Sequence, residues 1–148
     1  MIRFALLFAA LVVDTFGCSC LPWTSQEAYC NADWVGTFKI LQKNFDNSTM
    51  QLTYKVKVTR VFKANHGIPV QGATTTISTA NQSAACGIDW LEVGKEYLLN
   101  GGSKGKLAMY LCGQIQTAEW NNISYKMKYA LYSGSYKPCP VRTTPKTP

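Results

Sequence analysis

The sequence predicts a mainly β domain with a short helix on either side of the strand region, held together by disulfides. Short stretches of alternating apolar and polar residues are separated by turns, which is typical of antiparallel strands. Helix signals occur only before and after those stretches. The cysteine count is 6, and an even number in an oxidising compartment favours disulfide pairing of them all.

The amino terminus has the layout of a secretory signal peptide, residues 1–17. Arg3 supplies positive charge, Phe4–Val13 is an unbroken apolar run, and Gly17 is a small residue at the expected cleavage position. The run is about half of the roughly 20 residues that a spanning helix needs, so we predict no membrane span. A buried N-terminal helix is the alternative. We therefore expect a secreted, extracellular protein that begins at Cys18.

The region from 18 to 140 is predicted to be one domain, followed by a flexible polar tail at 141–148. Its first element is a helix from Thr24 to about Cys30, because Thr24 and Glu27 have the spacing of a capping box. Its last element is a helix over Ser124–Tyr132, with Gly134 at the expected terminating position.

Between the helices, Leu52–Thr59 alternates clearly between apolar and polar residues, and the alternation slips at Arg60–Phe62 as it would at a β-bulge. Turn residues separate the strands at 44–49, 65–67 and 101–105. Periodicity alone leaves both a barrel and a sandwich open. The predicted strands are Val35–Leu41, Leu52–Thr59, Thr74–Thr79, Tyr97–Leu99 and Leu107–Cys112.

Composition narrows the function classes. The net charge of +7 suits either simple solubility or weak binding of sulfated polysaccharide, for which the lysine pairs 55/57 and 126/128 are candidates. Solvated surface lysines are the alternative, and nucleic acid is not expected for a secreted chain. His66 is the only histidine and has no evident nucleophile beside it, so no enzyme is predicted. A cysteine zinc site is disfavoured because no Cys-x-x-Cys pair exists. We expect a monomer.

Three Asn-x-Ser/Thr sequons mark candidate glycosylation sites on surface loops. They begin at Asn47, Asn81 and Asn122.

Three stretches carry a resemblance to a known family. The mature chain would begin Cys18-Ser19-Cys20-Leu21-Pro22, with Cys30-Asn31-Ala32-Asp33 shortly after. The middle has Ser83–Gly87 followed by Val93–Leu99, and the end runs from Leu111-Cys112 through Trp120 to Tyr132. In this order, with all the cysteines placed, the chain resembles the tissue inhibitors of metalloproteinases, in the single-domain form of invertebrates.

The resemblance implies a fold and a disulfide pattern. The family fold is a netrin-like module, an OB-fold-like five-stranded antiparallel barrel with flanking short helices, which agrees with the predicted strands. The disulfides that the family pattern implies are Cys18–Cys86, Cys20–Cys112 and Cys30–Cys139.

The resemblance also implies a function: inhibition of a zinc metalloproteinase by the inhibitor's own amino terminus. The α-amine and carbonyl of mature Cys18 would ligate the zinc of the target, so the inhibitor needs no cofactor of its own. Ser19 would enter the pocket beyond the metal, Leu21 and Pro22 would lie along the substrate cleft, and Ala84 and Ala85 would sit beside them.

Among the features that depart from the family pattern, two lie close to the predicted contact residues. Trp23 is a bulky aromatic directly after Pro22, and a glycan at Asn81 would stand close to Ala84. The alternative function is therefore a netrin-like module that binds another extracellular protein through the barrel surface and has lost protease inhibition.

Overall fold

The computed structural model describes residues 17–140, which form a six-stranded sheet and two α-helices. The predicted signal peptide, apart from Gly17, and the predicted tail lie outside the described residues. In the described part of the chain, no helix is long and apolar enough to cross a membrane. The elements are α1 (Ser25–Asn31), β1 (Trp34–Asp46), β2 (Gln51–Ala64), β3 (Thr74–Ala80), β4 (Glu96–Ser103), β5 (Leu107–Ala108), β6 (Ala118–Glu119) and α2 (Tyr125–Ser133).

Five of the strands close into a ring, and the predicted mainly β barrel is confirmed. The order is β1-β2-β3-β5-β4, and β4 pairs again with β1, while β6 is added to β4. The ring is antiparallel as predicted except at one pair, because β3 and β5 are parallel. A closed ring with an odd number of strands cannot alternate in direction throughout, so at least one neighbouring pair must be parallel.

Apolar side chains are buried on both sides of the sheet. Trp34 and Phe38 lie inside the barrel, and their rings meet edge to face at 5.2 Å. Val35 and Leu98 lie in a second apolar cluster, which includes Leu131 of α2. Because β1 is covered on both faces, its first five residues are all buried, and this explains why the sequence there shows no alternation.

Both helices lie within one residue of their predicted bounds, and the predicted capping residues hold their ends. The Thr24 hydroxyl accepts the Glu27 N–H (3.2 Å), and the Glu27 carboxylate accepts the Thr24 N–H (2.7 Å), so the capping box is complete. The Ser124 hydroxyl caps α2, and Gly134 ends it in the left-handed conformation, with φ of 72°.

Several predicted boundaries are wrong. β1 continues to Asp46, so the turn to β2 lies at 47–50 rather than 44–49, and β4 continues through Gly101 and Gly102 to Ser103. β5 ends at Ala108 instead of Cys112. The chain leaves the sheet there because the backbone N–H of Leu111 bonds the carbonyl of Cys86, outside the strands (2.7 Å). The predicted bulge agrees with a register shift opposite Val35 and Gly36.

Candidate functional site

The segment before α1, residues 17–24, has no regular secondary structure and is tied to the barrel by disulfides. A third disulfide joins the end of the described chain to α1. The pairing is the one that the resemblance implies. The disulfides and their Cα–Cα distances are Cys18–Cys86 (5.0 Å), Cys20–Cys112 (5.2 Å) and Cys30–Cys139 (5.4 Å).

The first two disulfides lie side by side. The Sγ atom of Cys18 is 3.5 Å from that of Cys112 and 3.8 Å from that of Cys20. Four sulfur atoms therefore lie within 4.8 Å of one another, a spacing that would suit a metal ion. A cysteine must be a thiolate to bind zinc, and every cysteine of residues 17–140 is in a disulfide. The cluster is a pair of crosslinks, so its sulfur atoms are not thiolate ligands in this structure.

The segment that holds Cys86 is anchored two residues further on. The carbonyl of Ile88 accepts a hydrogen bond from the Tyr54 hydroxyl (2.9 Å), and its N–H donates to the hydroxyl of Thr79 (3.0 Å). All three residues are buried. Burial raises the pKa of Tyr54 to about 12, so the hydroxyl stays protonated and remains a donor.

The backbone beside Cys86 lies very close to β3. A side chain on Gly87 would overlap the carbonyl of Ala80, so only glycine fits there. Just before it, Ala84 and Ala85 are exposed in a 3-10 turn. The structure thus brings these alanines to the disulfide that holds Cys18.

The third part of the site is the loop from Met109 to Ile115, which holds Cys112. Two amide side chains that the sequence analysis did not single out, Asn100 and Gln114, hold this loop. The Asn100 side chain bonds the loop backbone, and the Gln114 side chain bonds the backbone of Asn100. Asn100 directly precedes two glycines and lies between the predicted strand Tyr97–Leu99 and the predicted turn at 101–105. Its position next to the apolar run Tyr97–Leu99 was the signal that could have marked it as a buried residue of the same strand.

Together these segments present a surface that we name the N-terminal ridge: residues 19–23, 84–85 and 110–111. Leu21 is its most exposed apolar member, at 81%. The stretches that carry it, 17–26, 64–88 and 107–118, contain no Lys, Arg, Asp or Glu. In a chain of net charge +7, this surface is built wholly from uncharged side chains.

The family comparison agrees with this geometry. The family model described as "Tissue inhibitor of metalloproteinase" matches residues 17–147. The chain belongs to this family. The match begins one residue before Cys18 and includes every segment of the ridge.

Relatives of this tissue inhibitor of metalloproteinase family member are similar over most of the chain. Human metalloproteinase inhibitor 2 is 33% identical over 138 residues, which cover 85% of this chain and 59% of that protein. The putative metalloproteinase inhibitor tag-225 of Caenorhabditis elegans is 30% identical over 139 residues, which cover 79% of this chain and 86% of that protein. The chain thus spans about three fifths of the length of the mammalian relatives.

The ion pairs of Lys95 and Arg60 involve side chains of this family member outside the ridge stretches. Lys95 bonds Glu119 (2.7 Å) and Glu92 (3.0 Å), and hydrogen bonds to these carboxylates raise the pKa of Lys95. Arg60 pairs with Glu96 (2.7 Å). These ion pairs join strands of the barrel and its loops.

The lysines singled out from the sequence fall on two surfaces. Lys55 and Lys57 are exposed on β2, and Lys39 stands opposite Lys57 on β1. On α2, Lys126 is exposed, while the ammonium of Lys128 lies 4.9 Å from the ring centre of Trp120. Polysaccharide binding by either surface stays a prediction.

The remaining candidates are distributed over the surface. His66 is exposed in the turn after β2. Asn47 lies in the β1–β2 turn and Asn122 in the 3-10 turn before α2, and both are exposed. Asn81 is half-buried, and its N–H bonds the carbonyl of Met50. Glycosylation at the sequons stays a prediction.

Proposed function

We propose that the mature protein is a secreted inhibitor of zinc metalloendopeptidases that ligates the target's zinc with the free amino terminus of Cys18. Family membership and the relatives' names, metalloproteinase inhibitors, support the inhibitory role. The observation that carries the mechanism is that residues 19–23 are exposed, although disulfides at Cys18 and Cys20 tie this segment to the barrel.

The chemistry depends on processing. In the full chain, the nitrogen of Cys18 is in a peptide bond with Gly17, where resonance removes its basicity. Cleavage after Gly17 frees an α-amine with a pKa of about 7.7 to 8.0, which loses its proton readily near neutral pH. The amine and the Cys18 carbonyl then form a chelate. A catalytic zinc keeps one position for water, and displacing that water removes the hydrolytic nucleophile.

The ridge supplies the contacts around the metal. Ser19 follows the chelating residue and enters the pocket beyond the zinc. Leu21 and Pro22 lie along the cleft, with the proline ring fixing its own φ. Ala84 and Ala85 are small and exposed, and the Cys18–Cys86 bond keeps them beside the terminus. Because these segments are ordered before binding, association loses less conformational entropy than it would with a flexible terminus.

The test compares two proteins that differ by one residue. One has Cys18 as its authentic first residue, and the other has a single alanine added before Cys18. In the extended form the Cys18 nitrogen is again an amide and cannot ligate zinc readily. We expect the authentic form to inhibit zinc endopeptidases from a panel and the extended form to lose inhibition.

Circular dichroism and thermal unfolding serve as the control, because both forms should fold alike. Equal potency of the two forms would exclude the chelation mechanism. Absence of inhibition by both would favour the netrin-like binding module.

A further inference from the structure

The loop that holds Cys112 is fixed by the amide lock, which we define as the side chains of Asn100 and Gln114. Asn100 is only 3% exposed and uses both ends of its side chain. Its Nδ2 donates to the carbonyl of Gly113 (2.7 Å), and its Oδ1 accepts the N–H of Ile115 (2.8 Å). A buried amide with both ends satisfied holds its partners in one arrangement.

Gln114 completes the lock from the loop side. Its Nε2 donates to the carbonyls of Asn100 (2.5 Å) and Tyr110 (3.0 Å), and its Oε1 accepts the backbone N–H of Asn100 (3.2 Å). Strand β4 and the loop are therefore joined by four hydrogen bonds, counting the two from the Asn100 side chain, and the bond to Tyr110 lies within the loop itself. β5 ends at Ala108, so these bonds take the place of a strand ladder.

The residue at the centre of the lock also supports an aromatic ring. Gly113 has φ of 85°, a conformation that favours glycine. A Cβ atom placed on it would lie 3.3 Å from Cζ3 and 3.7 Å from Cε3 of Trp23. The Trp23 ring thus rests on the bare backbone of Gly113, and 48% of the residue remains exposed.

Two successive loop residues therefore hold two points of the ridge. Cys112 holds Cys20 through a disulfide, and Gly113 supports Trp23, which lies three residues after Cys20. Leu21 and Pro22 span these two points without any strand pairing of their own. A disulfide alone fixes the distance between two Cα atoms, but a second attachment is needed to fix the direction of the chain that leaves it.

We propose that Trp23 and the amide lock are positioning residues, which hold Leu21 and Pro22 in the orientation that enters the protease cleft. The protease cleft in this inference rests on the proposed function. The contacts of Trp23 and the amide lock come from the structure of the protein alone. Asn100 is buried, so its effect on inhibition passes through the loop rather than through a contact with the target.

The test uses Trp23→Ala and Gln114→Met, alone and combined, in protein with an authentic Cys18 terminus. Methionine matches glutamine in length but cannot form the three Gln114 side-chain hydrogen bonds. We expect each single variant to raise the inhibition constant about three- to tenfold, because the free segment must be ordered on binding. If both act on the same attachment, the double variant should be little worse than either single variant.

Two further variants separate positioning from general damage. Trp23→Phe keeps a ring over Gly113 and should recover most of the inhibition. Trp90→Ala removes a tryptophan that is also 48% exposed but contacts Tyr97 rather than the ridge, and it should leave inhibition unchanged. All variants are compared below their thermal midpoints, so that a change in folded fraction does not enter.

A second measurement needs no protease. In the free protein, the backbone ¹⁵N order parameters of residues 21 and 23 should be lower in Trp23→Ala and in Gln114→Met than in the native protein. Those of the barrel should be unchanged. If native protein fails to inhibit but this fall is seen, the proposed function is wrong and the positioning role stands. Unchanged order parameters, or strictly additive effects on inhibition, would overturn the positioning role. Should Gln114→Met not fold, the Trp23 pair alone still decides the order-parameter outcome.

Discussion

The barrel and the N-terminal ridge are held together by different interactions. The barrel has a closed backbone ladder and an interior of large apolar side chains such as Trp34, Phe38 and Ile40. The ridge has neither, and its parts are joined by disulfides and by the buried polar side chains of Tyr54 and Asn100. Folding stability and inhibition should therefore respond to different substitutions.

The two regions also differ in charge. Ion pairs such as Arg60–Glu96 and the exposed lysines lie on the strands, helices and loops of the barrel. The ridge stretches carry no charged side chain, so under the proposed cleavage after Gly17 the charge that would form there is that of the Cys18 α-amine. The same stretches offer this amine no carboxylate neighbour. Such a neighbour would favour the protonated form of the amine and raise its pKa.

The largest expected effect breaks the barrel and spares the ridge. Phe38→Ala removes a fully buried ring and should lower the free energy of unfolding by about 3 to 5 kcal/mol, as other large-to-small core changes do. The inhibition constant should stay within about twofold of the native value as long as the protein is folded. Urea unfolding and an inhibition assay at low temperature measure the two quantities.

The matched variant for this comparison is Leu21→Ala, at the most exposed apolar position of the ridge. It should leave the unfolding free energy within about 0.5 kcal/mol of the native value, because exposed side chains contribute little to stability. It should weaken inhibition. If Phe38→Ala and Leu21→Ala changed stability and inhibition in the same proportion, the two regions would not be separable.

Local sequence signals predicted much of the barrel. The capping box at Thr24 and Glu27 and the terminator Gly134 involve residues a few positions apart, so their geometry is encoded locally. The alternation over Leu52–Thr59 likewise follows from one face of β2 pointing into the barrel. Burial of β1 on both faces removed that signal, and its end at Asp46 depends on pairing with Gln51 across the turn.

The site was less accessible to local patterns. The family resemblance, rather than a local pattern, suggested the candidate contact residues and implied the pairing of Cys20 with Cys112, which lie 92 residues apart. Those candidates are Ser19, Leu21, Pro22, Ala84 and Ala85. The end of β5 at Ala108 and the role of Asn100 were missed, because both depend on a loop bending back toward β4. An amide in a strand has no distinguishing pattern until its distant partners are known.

A smaller effect is expected at Tyr54, where the two regions meet. Tyr54→Phe removes the hydrogen bond to the Ile88 carbonyl and leaves that buried acceptor unsatisfied, which should lower the unfolding free energy by about 1 to 3 kcal/mol near neutral pH. Inhibition should weaken, because Ile88 anchors the segment that holds Cys86. Tyr97→Phe is the control: its hydroxyl accepts the Glu92 N–H, outside the ridge, so inhibition should not change.

The Tyr54 pKa adds a pH signature. The folded-state pKa is about 12, above the value of about 10 for an unfolded tyrosine. From pH 10 upward the unfolded state loses this proton first, so the native protein loses stability as pH rises through this window. Phenylalanine has no proton to lose, and the stability gap between native protein and Tyr54→Phe should narrow between pH 10 and pH 12. A gap that stays constant in urea unfolding over that range would contradict the assignment.

The smallest expected effect concerns salt, and it sharpens the contrast in charge. The net charge of +7 acts over long distances and changes the rate constant for association with a charged target. Salt screens this effect. Once the complex has formed, the ridge contributes no charged side chain to the contact. The dissociation rate constant should therefore change by less than about twofold between 50 and 500 mM salt, although the Debye length shortens severalfold over that range. The variant Ala84→Lys places a charge on the ridge and should make dissociation salt-dependent, whereas Lys57→Met, on the barrel, should alter only association. A native dissociation rate that varied strongly with salt would mean that the target is held by the lysine-bearing surfaces of the barrel rather than by the ridge.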